Sequence, residues 1–347
     1  MPSIHPRAPR RRQQAGLTLI ELMVALVVNL MVIGGLLFLL LNQATTRDEM
    51  SKATQAMESG RHASRVLRDA LQHAGFYGNY FDVPAPTAAP GACETAVAAL
   101  TAALRMPVQG FAGASGSPIS ACIPNANYVS NTDILVVRRA DTNAVTIATA
   151  AADAGGRMYL QATGTAVAVN TAANATAANF PLLYNTSVLV NAPVELRRLV
   201  VQVYFVSPCK DMANGSTCAA SDDNGRPIPT LKRLELSATG ATTNYAIVPL
   251  AEGIQDLQLD YGLDQDNDGF ADTYVALPAT LADWSRAVAV RFNMLARNVE
   301  PSPGHVDTKT YDLGGAARVG PLNDAFKRHV YSDTVRLVNV GGRRATQ

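Results

Sequence analysis

The sequence predicts an α+β protein: one very long N-terminal α-helix packed on a globular domain built from an antiparallel β-sheet. Three observations predict it. No proline occurs from residue 10 to residue 83. Within that span apolar residues first run almost unbroken and then recur at threes and fours. Beyond it come runs of Val, Leu and aromatic residues, set between stretches rich in Ala, Pro, Gly and Thr.

The first element is the apolar run. From Leu22 to Leu41 only Asn29 is strongly polar. Twenty helical residues rise about 30 Å, the thickness of a bilayer core. Arg7, Arg10, Arg11 and Arg12 precede the run, and no acid lies before Glu21. By the positive-inside rule the N-terminus then stays in the cytoplasm, and everything after residue 42 lies across the membrane, in the periplasm if the cell is Gram-negative. A secretory signal peptide would show a small-residue cleavage site after its apolar core. Here the run passes into Asn42, Gln43, Ala44 and Thr45 and the helical pattern continues, so the helix is retained. Glu21 stands out, because a charge inside such a segment costs roughly 2.5–3.5 kcal/mol on insertion scales.

The second half of the helix is amphipathic. Met50, Ala53, Met57, Ala63, Val66, Leu67, Ala70, Leu71 and Ala74 form one stripe between charged residues. The pattern runs to about Ala74 and stops at Gly75. Residues 84–130 then read as an irregular loop region, 132–140 as a strand, and 141–180 as weak strands and exposed loops. Residues 196–207, 229–237, 254–263 and 286–295 read as strands, and 333–340 as a last strand. The expected organisation is 1–16 as a leader, 17–75 as the long helix with 17–41 apolar, and 76–347 as the β-rich domain.

Four cysteines, Cys93, Cys122, Cys209 and Cys218, include no C-x-x-C pair, which argues against zinc and redox chemistry. An even count in an oxidising compartment implies two disulfides. Three pairings are open; Cys93–Cys122 with Cys209–Cys218 is the simplest. Cross-links over such loops stabilise by roughly 2.5–3.6 kcal/mol in the chain-entropy model.

Enzyme classes find no support. The five histidines are scattered, and H-E-x-x-H, G-x-S-x-G, P-loop and G-x-G-x-x-G patterns are absent. A net charge of +1 gives no pull toward nucleic acid. The best metal candidate is "DQDNDGFAD" (264–272). Asp264, Asp266, Asp268 and Asp272, with the Phe270 carbonyl, match the first nine positions of a calcium loop, where alternating carboxylates converge and Gly269 allows the turn. Val275 stands where the bidentate Glu would be, so any Ca2+ affinity is expected to be weak. The plain alternative is a solvated acidic hairpin loop.

"GLTLIELMVAL" (16–26) resembles the signal of type IV prepilins and pseudopilins. "ALQHAGFYG" (70–78), "TDILVVRRAD" (132–141), "PTLKRLEL" (229–236), "AEGIQDLQLDYGLDQDNDGFADTY" (251–274) and "WSRAVAVRFNMLARN" (284–298) are similar, in order, to blocks of PilW-type minor pilins. The resemblance implies a pilin-like fold whose apolar half-helix spans the membrane or the fibre core. It implies cleavage between Gly16 and Leu17 by a prepilin peptidase, N-methylation of Leu17, and a role for Glu21 in assembly. It implies a low-abundance subunit that helps initiate and cap the pilus. The implied partners are other minor pilins, the major pilin, the inner-membrane assembly platform and a tip adhesin. Glu21 then has a physical use: it can pair with a neighbouring subunit's N-terminal amine, which removes two isolated charges from an apolar setting. One departure is Phe38, where major pilins usually have Pro; Gly34 and Gly35 are the nearest soft positions. A type II secretion pseudopilin shares the signal, and a membrane-anchored, calcium-dependent adhesin that never enters a fibre is a reading of another class.

Overall fold

The computed structural model describes residues 16, 18–185, 190–315 and 317–344. The long helix is α1 (Leu19–His73). It runs through Gly34 and Gly35 without a break. Every described side chain from Leu19 to Gln43 is exposed. The chain divides into two units, 1–51 and 52–347.

In the second unit, Ala63, Leu67, Ala70, Leu71 and Ala74 are buried in the main core. The predicted stripe is shorter than its periodicity: Met57 is exposed. Burial begins at Gly60, where a Cβ would overlap the Tyr331 ring. α1 ends as expected. Gly75 takes φ +72°, a conformation open to glycine at little cost, and its N–H donates to the Arg138 carbonyl at 3.0 Å.

After α1 come α2 (Val97–Ala103), β1 (Val108–Phe111), β2 (Ile134–Val145), α3 (Ile147–Ala151), β3 (Met158–Ala162) and β4 (Val167–Thr171). A small hairpin, β5 (Leu183–Asn185) with β6 (Val190–Pro193), leads to β7 (Leu196–Ser207) and a helical turn, α4 (Asp222–Gly225). Then follow β8 (Thr230–Thr239), β9 (Thr242–Glu252), β10 (Ile254–Leu263), β11 (Thr273–Val275), α5 (Leu281–Ser285) and β12 (Ala287–Arg297). The chain closes with β13 (Tyr311–Asp312), β14 (Arg318–Val319), β15 (Arg328–Arg336) and α6 (Val338–Arg344).

All described strand pairs are antiparallel. They form two main sheets rather than one. The larger has the order β1-β2-β7-β3-β4, with β8 pairing β7 and β9 pairing β8; the smaller has the order β11-β10-β12-β15. The larger sheet is buried on both faces. Leu135, Val137, Tyr204 and Val206 meet α1 and the smaller sheet, while Ile134, Val136, Val203 and Phe205 meet Leu100, Leu104 and Tyr128. That two-sided burial is why "LVVQVYFV" is continuously apolar rather than alternating.

Four expectations need correction. The 84–130 region contains α2 and β1. In the 141–180 region β3 is fully buried between β7 and β4, with Met158, Leu160 and Ala162 in one apolar cluster and Tyr159 in another. β9 pairs with β8 along its length yet was not anticipated. The last strand lies earlier, at 328–336, and residues 338–344 are helical. Both disulfides join sequence-local partners, Cys93–Cys122 and Cys209–Cys218.

The core also carries charge. Arg138 is fully buried, and its guanidinium donates to the Met106 carbonyl (2.9 Å), the Gly91 carbonyl (3.1 Å) and Gln109 Oε1 (2.8 Å). Burial lowers its pKa to about 10, so it stays protonated at neutral pH. Burial acts the other way on Asp133 and Asp256, each pushed up to about 6. The native state therefore binds their protons more tightly than the unfolded chain. Stability should rise as pH falls through 6 toward 4. In thermal melts of the detergent-solubilised chain, the melting temperature is expected to rise on going from about pH 7.5 to about pH 5.5. Asp256→Asn should flatten that rise and stabilise the protein at the upper pH by about 1–3 kcal/mol.

Candidate functional site

Two of the sequence-predicted sites can be built from the residues upward. The first is the start of α1. Glu21 Oε2 accepts the Thr18 N–H and the Thr18 hydroxyl, each at 3.0 Å, and Thr18 Oγ1 accepts the Glu21 N–H at 3.4 Å. This is a capping box: each side chain satisfies a backbone donor that a helix start leaves without a partner. It also places the carboxylate at the positive end of the helix dipole. Thr18 was missed at the sequence level, although T-x-x-E before an apolar run is the signal for it. Gly16 stands in open space, with nothing within 4 Å of where a Cβ would be. Leu17, the expected new N-terminus, lies outside the described residues, as do residues 1–15.

The second site is the loop joining β10 to β11. Asp264, Asp266 and Asp268 each bring a carboxylate oxygen within 4.8 Å of the others. Asn267 (φ +67°) and Gly269 (φ +82°) provide the sharp turn. Asp272 turns to another task, accepting the Gln265 N–H at 2.7 Å. The loop also has its own donors. Asp264 is buried and accepts from Asn267 N–H (2.7 Å), Gly269 N–H (3.1 Å) and Arg344 Nε (2.8 Å). Burial alone would raise its pKa; Arg344 and the two N–H groups outweigh that and hold it below the usual carboxylate range. The Phe270 ring lies 3.9 Å from the Arg336 guanidinium. So three of the five expected calcium ligands converge, and one of these already carries an arginine from α6. A hard cation fits this donor set in part, by sharing Asp264 with Arg344.

With that geometry in place, the comparisons can be read onto it. Residues 212–339 match the family model described as Type IV Pilus-assembly protein W, and residues 11–41 match the one described as Prokaryotic N-terminal methylation motif. Together the two matches support a PilW-type type IV pilin. No curated protein and no solved structure matches it. The PilW match takes in all four strands of the smaller sheet and the acidic loop. The methylation-motif match takes in the Thr18–Glu21 box and the exposed apolar half of α1. The resemblance blocks at 70–78 and 132–141 lie outside both matched spans. The first family is one of pilus-assembly proteins, and the apolar helix with its prepilin motif fits a membrane-anchored pilin.

Proposed function

We propose that this pilin is a minor subunit which helps to initiate the type IV pilus and sits at or near its tip. Before assembly it spans the inner membrane once, with the leader in the cytoplasm and the β domain in the periplasm. A prepilin peptidase cuts after Gly16 and methylates the new amine of Leu17. Glu21 then meets the amine of a neighbouring pilin as the helices enter the fibre. Other minor pilins, the major pilin, the assembly platform and a tip adhesin are its partners. The observation that carries this reading is the Thr18–Glu21 capping box. It holds a carboxylate at the head of an apolar helix, on the fifth residue after the proposed cut in sequence.

Processing is the test. Intact-mass measurement of sheared pili should find a chain beginning at methylated Leu17. Gly16→Ala should accumulate a heavier precursor in the membrane and remove the chain from pili. Assembled pili containing Met1 would overturn the proposal. Low copy number relative to the major pilin, in the same fractions, tests the minor role.

A second reading concerns calcium. Convergence of Asp264, Asp266 and Asp268 supports one weakly held ion at the acidic loop, in the 10⁻⁴–10⁻³ M range of extracellular modules. Binding to the folded loop alone would raise the melting temperature by mass action. Melts in millimolar calcium and in chelator should therefore separate, and Asp266→Ala should bring them together. Coincident melts would leave Arg344 as the loop's cation.

A further inference from the structure

A cavity of about 170 Å³ lies where α5 and α6 meet the segments that flank α2. Pro84, Pro86, Val108, Leu337 and Val340 give it apolar walls, and Trp284 adds an aromatic one. Three arginines, Arg105, Arg343 and Arg344, line the same space, and no Asp or Glu among the described residues does. Guanidinium groups set among apolar walls lose hydration, and that loss is offset only where an anion or good acceptors meet them. The three are satisfied to different degrees. Arg344 pairs with Asp264 at 2.8 Å and donates to the Ser285 carbonyl at 3.1 Å. Arg343 donates to the Gly75 carbonyl, a neutral acceptor, at 2.9 Å, and burial lowers its pKa. Arg105 is half-buried and donates to no described residue. The indole N–H of Trp284 likewise meets no acceptor among the described residues. Donors and positive charge therefore stand beside apolar surface with too few acceptors to match. Size limits the occupant. A cavity of roughly 150 Å³ accepts benzene, so the apolar part of a ligand here is one ring and not a stretch of polypeptide.

We infer that this cavity binds a small organic acid, a single carboxylate on a compact apolar body about the size of one ring. Arg105 bonds the carboxylate, and Trp284 packs on the apolar body beside the prolines. The walls come from both halves of the β domain. The segment after α2 leads into β1 of the larger sheet, while α5 and α6 flank β12 and β15 of the smaller one. A bound acid thus ties the two sheets together at this end. The inference stands apart from the pilin reading, and neither depends on the other.

The test uses the full-length chain in detergent, titrated at constant ionic strength with cyclohexanecarboxylate or with its neutral twin, cyclohexanecarboxamide. Trp284 is the sole tryptophan, so its fluorescence reports the cavity directly. Expected is a saturable change with the acid, half-complete at roughly 1 mM or below, as about nine heavy atoms allow. The amide should bind at least about tenfold more weakly, because it brings no charge to the guanidinium. Arg105→Gln should weaken the acid by about tenfold or more, the worth of one charge-assisted hydrogen bond, and leave the amide unchanged. Saturating acid should also raise the melting temperature of the parent chain. Equal responses to acid and amide overturn the inference, since the cavity would then be apolar space alone. So does the lack of a saturable change up to about 20 mM acid, or Arg105→Gln binding the acid as the parent does. The comparison of acid with amide needs no variant, so a poorly folded Arg105→Gln would not spare the inference.

Discussion

Glu21→Ala is expected to insert in the membrane and to be cleaved, yet to fall by roughly tenfold or more in sheared pili. Insertion should not suffer, because removing a carboxylate from an apolar segment makes transfer easier. The loss is expected in assembly, where an unpaired amine from the neighbouring subunit would be left in an apolar setting. Glu21→Gln separates the two roles that the geometry allows. Glutamine at the third helical position still completes a capping box with Thr18, but carries no charge. If charge pairing with the neighbour governs assembly, Gln should fail as Ala does. If capping alone governs it, Gln should restore the pili. Immunoblots of membrane and sheared-pilus fractions, with intact masses, decide between them. Normal incorporation of both variants would contradict the proposed role.

The largest effect on stability is expected at Arg328. Its side chain is 1% exposed and bonds Asp307, also 1% exposed, at 2.7 Å. The same guanidinium holds Asp324 at 2.6 Å, Gln255 Oε1 at 2.7 Å and the Phe326 carbonyl at 3.1 Å. The Tyr311 hydroxyl closes the far side of Asp307 at 3.0 Å. Burial alone would lower the Arg328 pKa and raise that of Asp307; the pairing reverses both. Arg328→Met would strand the Asp307 carboxylate in the interior. Removing one partner of a buried pair costs about 3–5 kcal/mol, or about 10 °C for a domain of this size. Adding Asp307→Leu to that variant should recover much of the loss, because replacing both partners by apolar groups is often close to neutral. Near-ultraviolet melts following Trp284, the sole tryptophan, which lies edge-on to Tyr261 at 4.9 Å, would report the change. A single variant as stable as the parent would show that the network is not under the strain of burial argued here.

These two sites differ in how far the sequence reveals them. Glu21 is visible because everything that makes it unusual is local: a basic leader before it, an apolar run after it, a helix around it. Thr18 was equally local and could have been found from its spacing. Arg328 shows no such sign. It lies near the start of an unremarkable strand, and its acids come from an excursion between β12 and β15 whose course depends on tertiary packing. The acidic loop is intermediate. Its carboxylates and its turn are plain from residues 264–272, but Arg344 lies 80 residues further on and arrives only through α6.

Elements whose cause is periodic or positional follow from the order of residues alone. These are the long helix and its end at Gly75, the apolar half with its single carboxylate and single amide, and the strands whose apolar runs exceed what one buried face needs. Packing between distant segments set the rest. It split the strands into two sheets, set β3 between β7 and β4, and paired Cys93 with Cys122 and Cys209 with Cys218. It also put Arg138 into the core, where the Gly91 and Met106 carbonyls and Gln109 supply its bonds. The physical reason is one of range. Helical repeats and turn residues act over a few neighbours in the chain, whereas cover for a strand and partners for a buried charge come from segments whose distance in sequence carries no information about distance in space.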